Sequence, residues 1–341
     1  MINEITIRKL VDCILLNACS VNSSGLYNGK AGMSLALFEA ARFLQDEYIE
    51  EQAFDLLQEA LISKTDDISF ENGLSGIGYV LLYLIKNEFL DAEFNELFSS
   101  NHFKIENELR KINNKRNSYR SFSFLTSINY LNLLTEHDAY NESSIQNINW
   151  LSEKSSLYLF DNIKKIQHGE FVIPKLEILN LLEQYLKIVN CYHLTPNIEL
   201  LQLYSDLFIE NKFISNFHIG HYLSKIGEGV DNKKIVFAGE ENKRRSIKNI
   251  SYETFTLPQI VRQLYLMRQY KRFYMQEINY LERKFIEETE DETIEQKILK
   301  SIHPMSFIAG YKSGVLRFLL YSIFTSKFAE YKNSNYYLLD L

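Results

Sequence analysis

Apolar positions in the first hundred residues fall into two alternating kinds of segment. Residues 3–19 place Ile5, Ile7, Leu10, Val11, Ile14 and Leu15 near one helical face. Residues 33–44 are apolar nearly all round, with Arg42 near the end, which is the pattern of a buried helix. Residues 47–63 instead carry one stripe, Ile49, Ala53, Leu56, Leu57, Ala60 and Leu61, opposite an acidic face. That pattern predicts an amphipathic surface helix. Residues 77–86 are again apolar almost all round, and residues 91–98 return to mixed character. An inner helix followed by an outer one, then the same order again, predicts a helical array with a period of about 45 to 50 residues.

The two buried segments open in the same way. "GLYNGKAGMSLALF" (25–38) and "ENGLSGIGYVLLYL" (71–84) each hold Asn-Gly, two further residues, a Gly and a mostly apolar run. Asn28, Gly29 and Gly32 map onto Asn72, Gly73 and Gly76 with a shift of 44 residues. "AGYKSGVLRFLLYSIF" (309–324) recovers two glycines, Gly310 and Gly314. Three worn copies lie between. In "FSFLTSINYLNLL" (122–134), Leu125, Thr126, Ser127 and Ile128 align with Leu74, Ser75, Gly76 and Ile77. "CYHLTPNIELLQLYSDLF" (191–208) and "SYETFTLPQIVRQLYLM" (251–267) are each turn-like and then helical. The polar stretch 227–250 reads as a long loop, with "KKIVFAG" as a candidate short strand and Lys243, Arg244 and Arg245 solvated within it.

Glycine tolerates positive φ and lets another backbone approach closely, so Asn-Gly at the head of an inner helix predicts a sharp inward turn. If every copy turns the same way, inner helices form a ring and outer helices wrap it. The expected fold is therefore all-α, an α/α toroid of roughly six or seven hairpins, as one domain over residues 1–341. A phosphate cradle is the competing reading of "GLSGIG". It is disfavoured because no strand precedes the motif and no Lys-Ser/Thr follows it.

Composition narrows the classes. With 46% hydrophobic and 24% charged residues the chain has enough apolar material for a large core. Only 4 prolines and 13 glycines leave helix interiors rarely broken. A net charge of −7 argues against a dedicated nucleic-acid binder. The longest apolar run, 73–85, is too short to span a bilayer. No basic region followed by an apolar core and a cleavage site is visible at the N-terminus. The three cysteines, Cys13, Cys19 and Cys191, make no disulfide framework. These features predict a cytoplasmic protein without integral membrane association.

"GLYNGKAGMSLALFEAARF" and "SFENGLSGIGYVLLYLI" resemble the first two repeats of the lanthionine synthetase C-like family, and "AGYKSGVLRFLLYSIF" resembles its closing repeat. The resemblance implies a double ring of helices. For catalytic members it implies a zinc ion that activates a peptide cysteine thiol for addition to dehydroalanine or dehydrobutyrine. An ordinary thiol, with a pKa of about 8.5, is mostly protonated at neutral pH, and zinc makes it a thiolate. The family's ligands, two cysteines and a histidine, leave one coordination position for substrate.

Here the chain departs from the family. "NCYHL" resembles the first ligand turn, with Cys191 and Tyr192 kept and His193 where glycine is expected. The later Cys-His turn aligns near Tyr252 and Glu253, and the His-Gly turn near Phe124 and Leu125. His168-Gly169 stands elsewhere in the repeat order, and His218 and His221 are spaced to share a helix face. Cys191 reads as a small buried residue, with a vestigial zinc ligand as the alternative. No catalytic residue, cofactor or metal site is expected. The expected function is a degenerate, non-catalytic cyclase-like scaffold whose partner is a peptide substrate or a peptide-modifying enzyme. The alternatives are an active zinc cyclase with rearranged ligands and another toroid enzyme such as a carbohydrate-active hydrolase. The last needs two paired carboxylates, and nothing in the sequence pairs Glu170, Glu177 and Glu199.

Overall fold

The computed structural model describes residues 4–27, 29–113, 124–137, 139–170, 175–249, 275–276, 279–280, 283 and 315–326. Among them the chain is helical, with no strand. Asn28, Gly310, Gly314 and the copy at 251–267, with Tyr252 and Glu253, lie outside the described residues. Contacts group the chain into two compact units, residues 1–104 with 251–341 and residues 105–250.

The first unit holds α1 (Glu4–Ala18), α2 (Lys30–Leu44), α3 (Glu47–Leu61), α4 (Leu74–Lys86), the start of α5 (Phe94–Asn113) and α12 (Val315–Ser326). Every residue from Ala31 to Ala41 of α2 and from Leu74 to Leu84 of α4 is buried. Polar groups on these faces are matched locally. Ser34 donates to the Ala53 carbonyl of α3 at 2.7 Å, and Ser75 to the Ile68 carbonyl at 2.6 Å. The buried Tyr83 hydroxyl donates to the Glu39 carboxylate, so the partners occupy equivalent positions of the two repeats. By contrast, α3 buries only its stripe of Ile49, Ala53, Leu56, Leu57 and Ala60. Asp46 caps it, accepting from the Ile49 amide and pairing with Arg8 of α1 at 2.7 Å. The described side chains of α12, Val315 to Phe324, are all buried, and the helix packs on α1 and α2.

The second unit continues from α5 through a 3-10 turn (Leu125–Ser127) into α6 (Ile128–Leu134). There follow α7 (Asn141–Gln167), α8 (Lys175–Cys191), α9 (Ile198–Ile209), α10 (Phe217–Gly229) and α11 (Lys233–Asn249). Pairs α6–α7, α7–α9, α8–α10, α9–α11 and α10–α11 pack together.

The expectation for residues 227–250 is corrected. They are neither a long loop nor a strand, because α11 covers Lys233–Asn249. Ile235, Ala238, Asn242 and Ser246 recur at helical spacing and are buried. The polar residues that dominate the composition occupy the solvent face. Gly239 meets α10 so closely that an added Cβ would lie 2.6 Å from the Ser224 amide nitrogen. Lys243 is not solvated but only 1% exposed, its ammonium donating to Ser224 at 3.2 Å and to Glu240 at 2.7 Å. Arg244 and Arg245 share the Glu241 carboxylate, and their hydrogen bonds hold it down at about 2.

Candidate functional site

The glycine turns ahead of α2 and α4 share main-chain hydrogen bonds at equivalent positions. The Lys30 amide donates to the Ser23 carbonyl at 3.0 Å, and the Leu74 amide to the Asp67 carbonyl at 2.8 Å. Met33 bonds back to Gly29 at 3.2 Å, and Ile77 to Gly73 at 3.3 Å. A Cβ on Gly32 would lie 1.9 Å from the Leu26 carbonyl oxygen, and one on Gly76 would lie 2.1 Å from that of Phe70. Each pair of equivalents differs by the same shift. Gly29 and Gly73 are extended, with φ of −140 and −124, so close backbone approach rather than positive φ demands the glycines. The two turns also touch, the Tyr27 amide donating to the Glu71 carbonyl at 2.7 Å. This packing consumes the polar backbone groups.

The third copy lacks glycine and turns differently. Phe124 leads into the 3-10 turn, and the Ser127 hydroxyl, at the position of Gly76, is buried with no partner among the described residues.

Cys191 ends α8 and is exposed, which corrects the reading of a small buried residue. The chain reverses immediately after it. His193, where the resemblance leads one to expect glycine, takes the left-handed region with φ of 51. Tyr192 anchors the turn by donating to Asn129 of α6 at 2.6 Å.

Lys225 of α10 lies within electrostatic reach of Cys191. Burial is the main cause lowering the Lys225 ammonium, and Lys243 adds to it, while Cys191 and Glu228 oppose. His221 is 1% exposed and is pushed down to about 2 by burial first, then by Lys225, Lys243 and His218. The imidazole is therefore neutral in the fold. His218 and His221 do share α10, yet no three His, Cys, Asp or Glu side chains among the described residues are placed to hold a metal. A divalent cation here would also face ammonium groups. The described residues do not fit the zinc that the resemblance implies.

His168-Gly169 has a structural role. His168 closes α7, Gly169 has φ of 77, and the amides of Gly169 and Glu170 donate to the carbonyls of Ile166 and Lys165. This is the Schellman arrangement that ends many helices.

An open cavity of about 370 Å³ lies between α7 and the 192–197 turn. Its back wall is a closed polar set. The Asn197 amide nitrogen donates to the Tyr185 hydroxyl at 3.1 Å, and the Asn197 side chain donates to Ser156 at 3.2 Å. Burial raises the Tyr185 hydroxyl above its usual range, and its bonds to Asn197 and Ser156 pull the other way. Asn197 also caps α9 by accepting from the Leu200 amide at 3.0 Å. The open side carries Asn149, Ser152 and Glu153 from α7 and Thr195 from the turn. The sequence reading missed these residues. "TPN" ahead of an apolar run was a legible cap signal for Asn197, whereas nothing in the sequence marks Glu153.

In comparison with known proteins, no family model and no curated protein matches the chain.

Among the described residues no helix is long and apolar enough to cross a membrane.

Proposed function

We propose that the chain is a lanthionine synthetase C-like α/α toroid that has kept its scaffold and lost its zinc chemistry. It holds a peptide, or an enzyme that modifies peptides, during maturation of ribosomally made, modified peptides. The observation that carries the reading is the repeated turn, whose hydrogen bonds and crowded glycine positions recur at one fixed shift ahead of two fully buried helices. The packing of α12 on α1 and α2 supports closure of the helical series. The loss of chemistry is supported by the composition, because Cys191 is the one cysteine after residue 19, and by Lys225, which lies within electrostatic reach of it. A site of the family type needs two thiolates and an imidazole on one ion.

The test is to incubate the protein with a dehydrated, cysteine-containing peptide and zinc, then count free thiols in the peptide. The expected outcome is co-elution of peptide with protein and an unchanged thiol count. Loss of thiol with thioether formation would overturn the reading.

A further inference from the structure

The cavity between α7 and the 192–197 turn has a chemistry that selects its ligand. We propose that it is a subsite for a cationic side chain, lysine or arginine, of a bound peptide; this rests on the reading of the chain as a peptide holder. Its volume, about 370 Å³, falls in the range of small-ligand pockets and suits one side chain with its flanking backbone. Of its lining residues Glu153 alone carries charge at neutral pH, and no Lys, Arg or His is among them.

Polar groups divide into used and available sets. Tyr185, Ser156 and Asn197 are tied to one another and fix the back wall. Ser152 is 6% exposed and lines the opening one residue before Glu153. Glu153 lies one helical turn from Asn149 and another from Leu157, so a single face of α7 presents amide, carboxylate and apolar surface in that order. Leu194 and Pro196 form the opposing apolar wall. The same lining offers Leu157, Leu194 and Pro196 to an alkyl chain and the Glu153 carboxylate, with the Ser152 and Thr195 hydroxyls, to its cationic end. An anionic ligand would meet Glu153 with no cation to offset it. A neutral apolar ligand would make no use of the Glu153 carboxylate or the hydroxyls.

The experiment is calorimetric titration of the whole protein with acetylated, amidated Ala-Lys-Ala, its norleucine counterpart and 1,5-diaminopentane, repeated with Glu153→Gln and Thr195→Val. Glu153 is exposed, so the Gln variant keeps the fold, and a thermal melt checks it. The lysine peptide binds, norleucine weakens it at least about fivefold, and Glu153→Gln removes that discrimination. Thr195→Val weakens the lysine peptide by a smaller factor. Equal binding of the lysine and norleucine peptides, or an unchanged affinity for the lysine peptide in Glu153→Gln, would overturn the subsite while sparing the peptide reading. Binding of the diamine without the peptide would keep the cation site and overturn the peptide reading beneath it.

Discussion

The two units start their buried helices by different means. In the first, Gly32 and Gly76 let the backbones of Leu26 and Phe70 press against α2 and α4, and main-chain hydrogen bonds hold both turns, with the Asp67 and Ser69 side chains adding to the one ahead of α4. In the second, asparagine side chains take that role. Asn197 caps α9, and Asn216 caps α10 by accepting from the amides of His218 and Ile219. Asn216 also donates to Glu183 at 3.0 Å, and its own amide donates to Asn242, which in turn donates to Tyr204. A backbone-packed turn tolerates no added atom, whereas a side-chain cap can be removed at the cost of its bonds. The comparison teaches that a buried helix can start without a glycine turn where a polar side chain accepts from its first amides.

The largest expected effects therefore lie in the first unit. Gly32→Val and Gly76→Val should each cost on the order of 4 kcal/mol or prevent folding, because the new Cβ lands on a backbone oxygen that cannot move away. Denaturant unfolding measures this, with Gly229→Ala as the control. An added Cβ at Gly229 meets nothing within 4 Å, so that change should stay within about 0.5 kcal/mol of the parent. Similar costs at Gly76 and Gly229 would break the comparison.

Next in size is a pH effect confined to the second unit. The folded pKa of His221 is lowered from 6.5 to about 2, so above 6.5 neither state takes the proton and the site is neutral to stability. Below 6.5 the unfolded chain binds a proton that the fold refuses. Stability should fall by about 1.4 kcal/mol per pH unit, or about 2 kcal/mol by pH 5. Comparing His221→Phe with the parent at pH 7 and pH 5 checks it, and the difference in slope should disappear in the variant. Burial dominates the effect, so added salt should change it little.

Asn216→Ala should cost about 2 kcal/mol and Asn197→Ala about 1 kcal/mol, both within the usual range for lost helix caps. Asn216 is placed higher because its side chain accepts from two amides and donates to the Glu183 carboxylate, whereas that of Asn197 accepts from one amide and donates to the Ser156 hydroxyl. Equal costs would show that the network around Asn216 adds nothing to the cap. Smallest of all is Cys191→Ala. Its side chain is exposed, so chemical unfolding should detect no change beyond about 0.5 kcal/mol.

What could be read from the sequence follows the same division. Helices α2, α3 and α4 were legible because their apolar period and glycine turns point the same way. For α11 the reading failed because composition was weighed above spacing: Lys, Glu and Asn dominate it, while Ile235, Ala238, Asn242 and Ser246 keep the helical interval. Asn242 and Lys243 are buried polar residues satisfied by tertiary partners, which no local pattern reveals. Cys191 was misjudged for a related reason. A free cysteine is most often buried, but this one is the last residue of α8 and lies exposed just before the left-handed His193. The cavity was illegible because α7 and the 192–197 turn meet only in three dimensions.

The central claim is a scaffold that binds peptide without metal. Its most direct test is equilibrium titration of the protein with a dehydrated, cysteine-containing peptide, with zinc supplied and again with chelator in excess. Equal affinity in both conditions, with the peptide recovered uncyclised, is the predicted result. Zinc-dependent binding or ring closure, abolished by Cys191→Ala, would contradict the account and restore an enzyme.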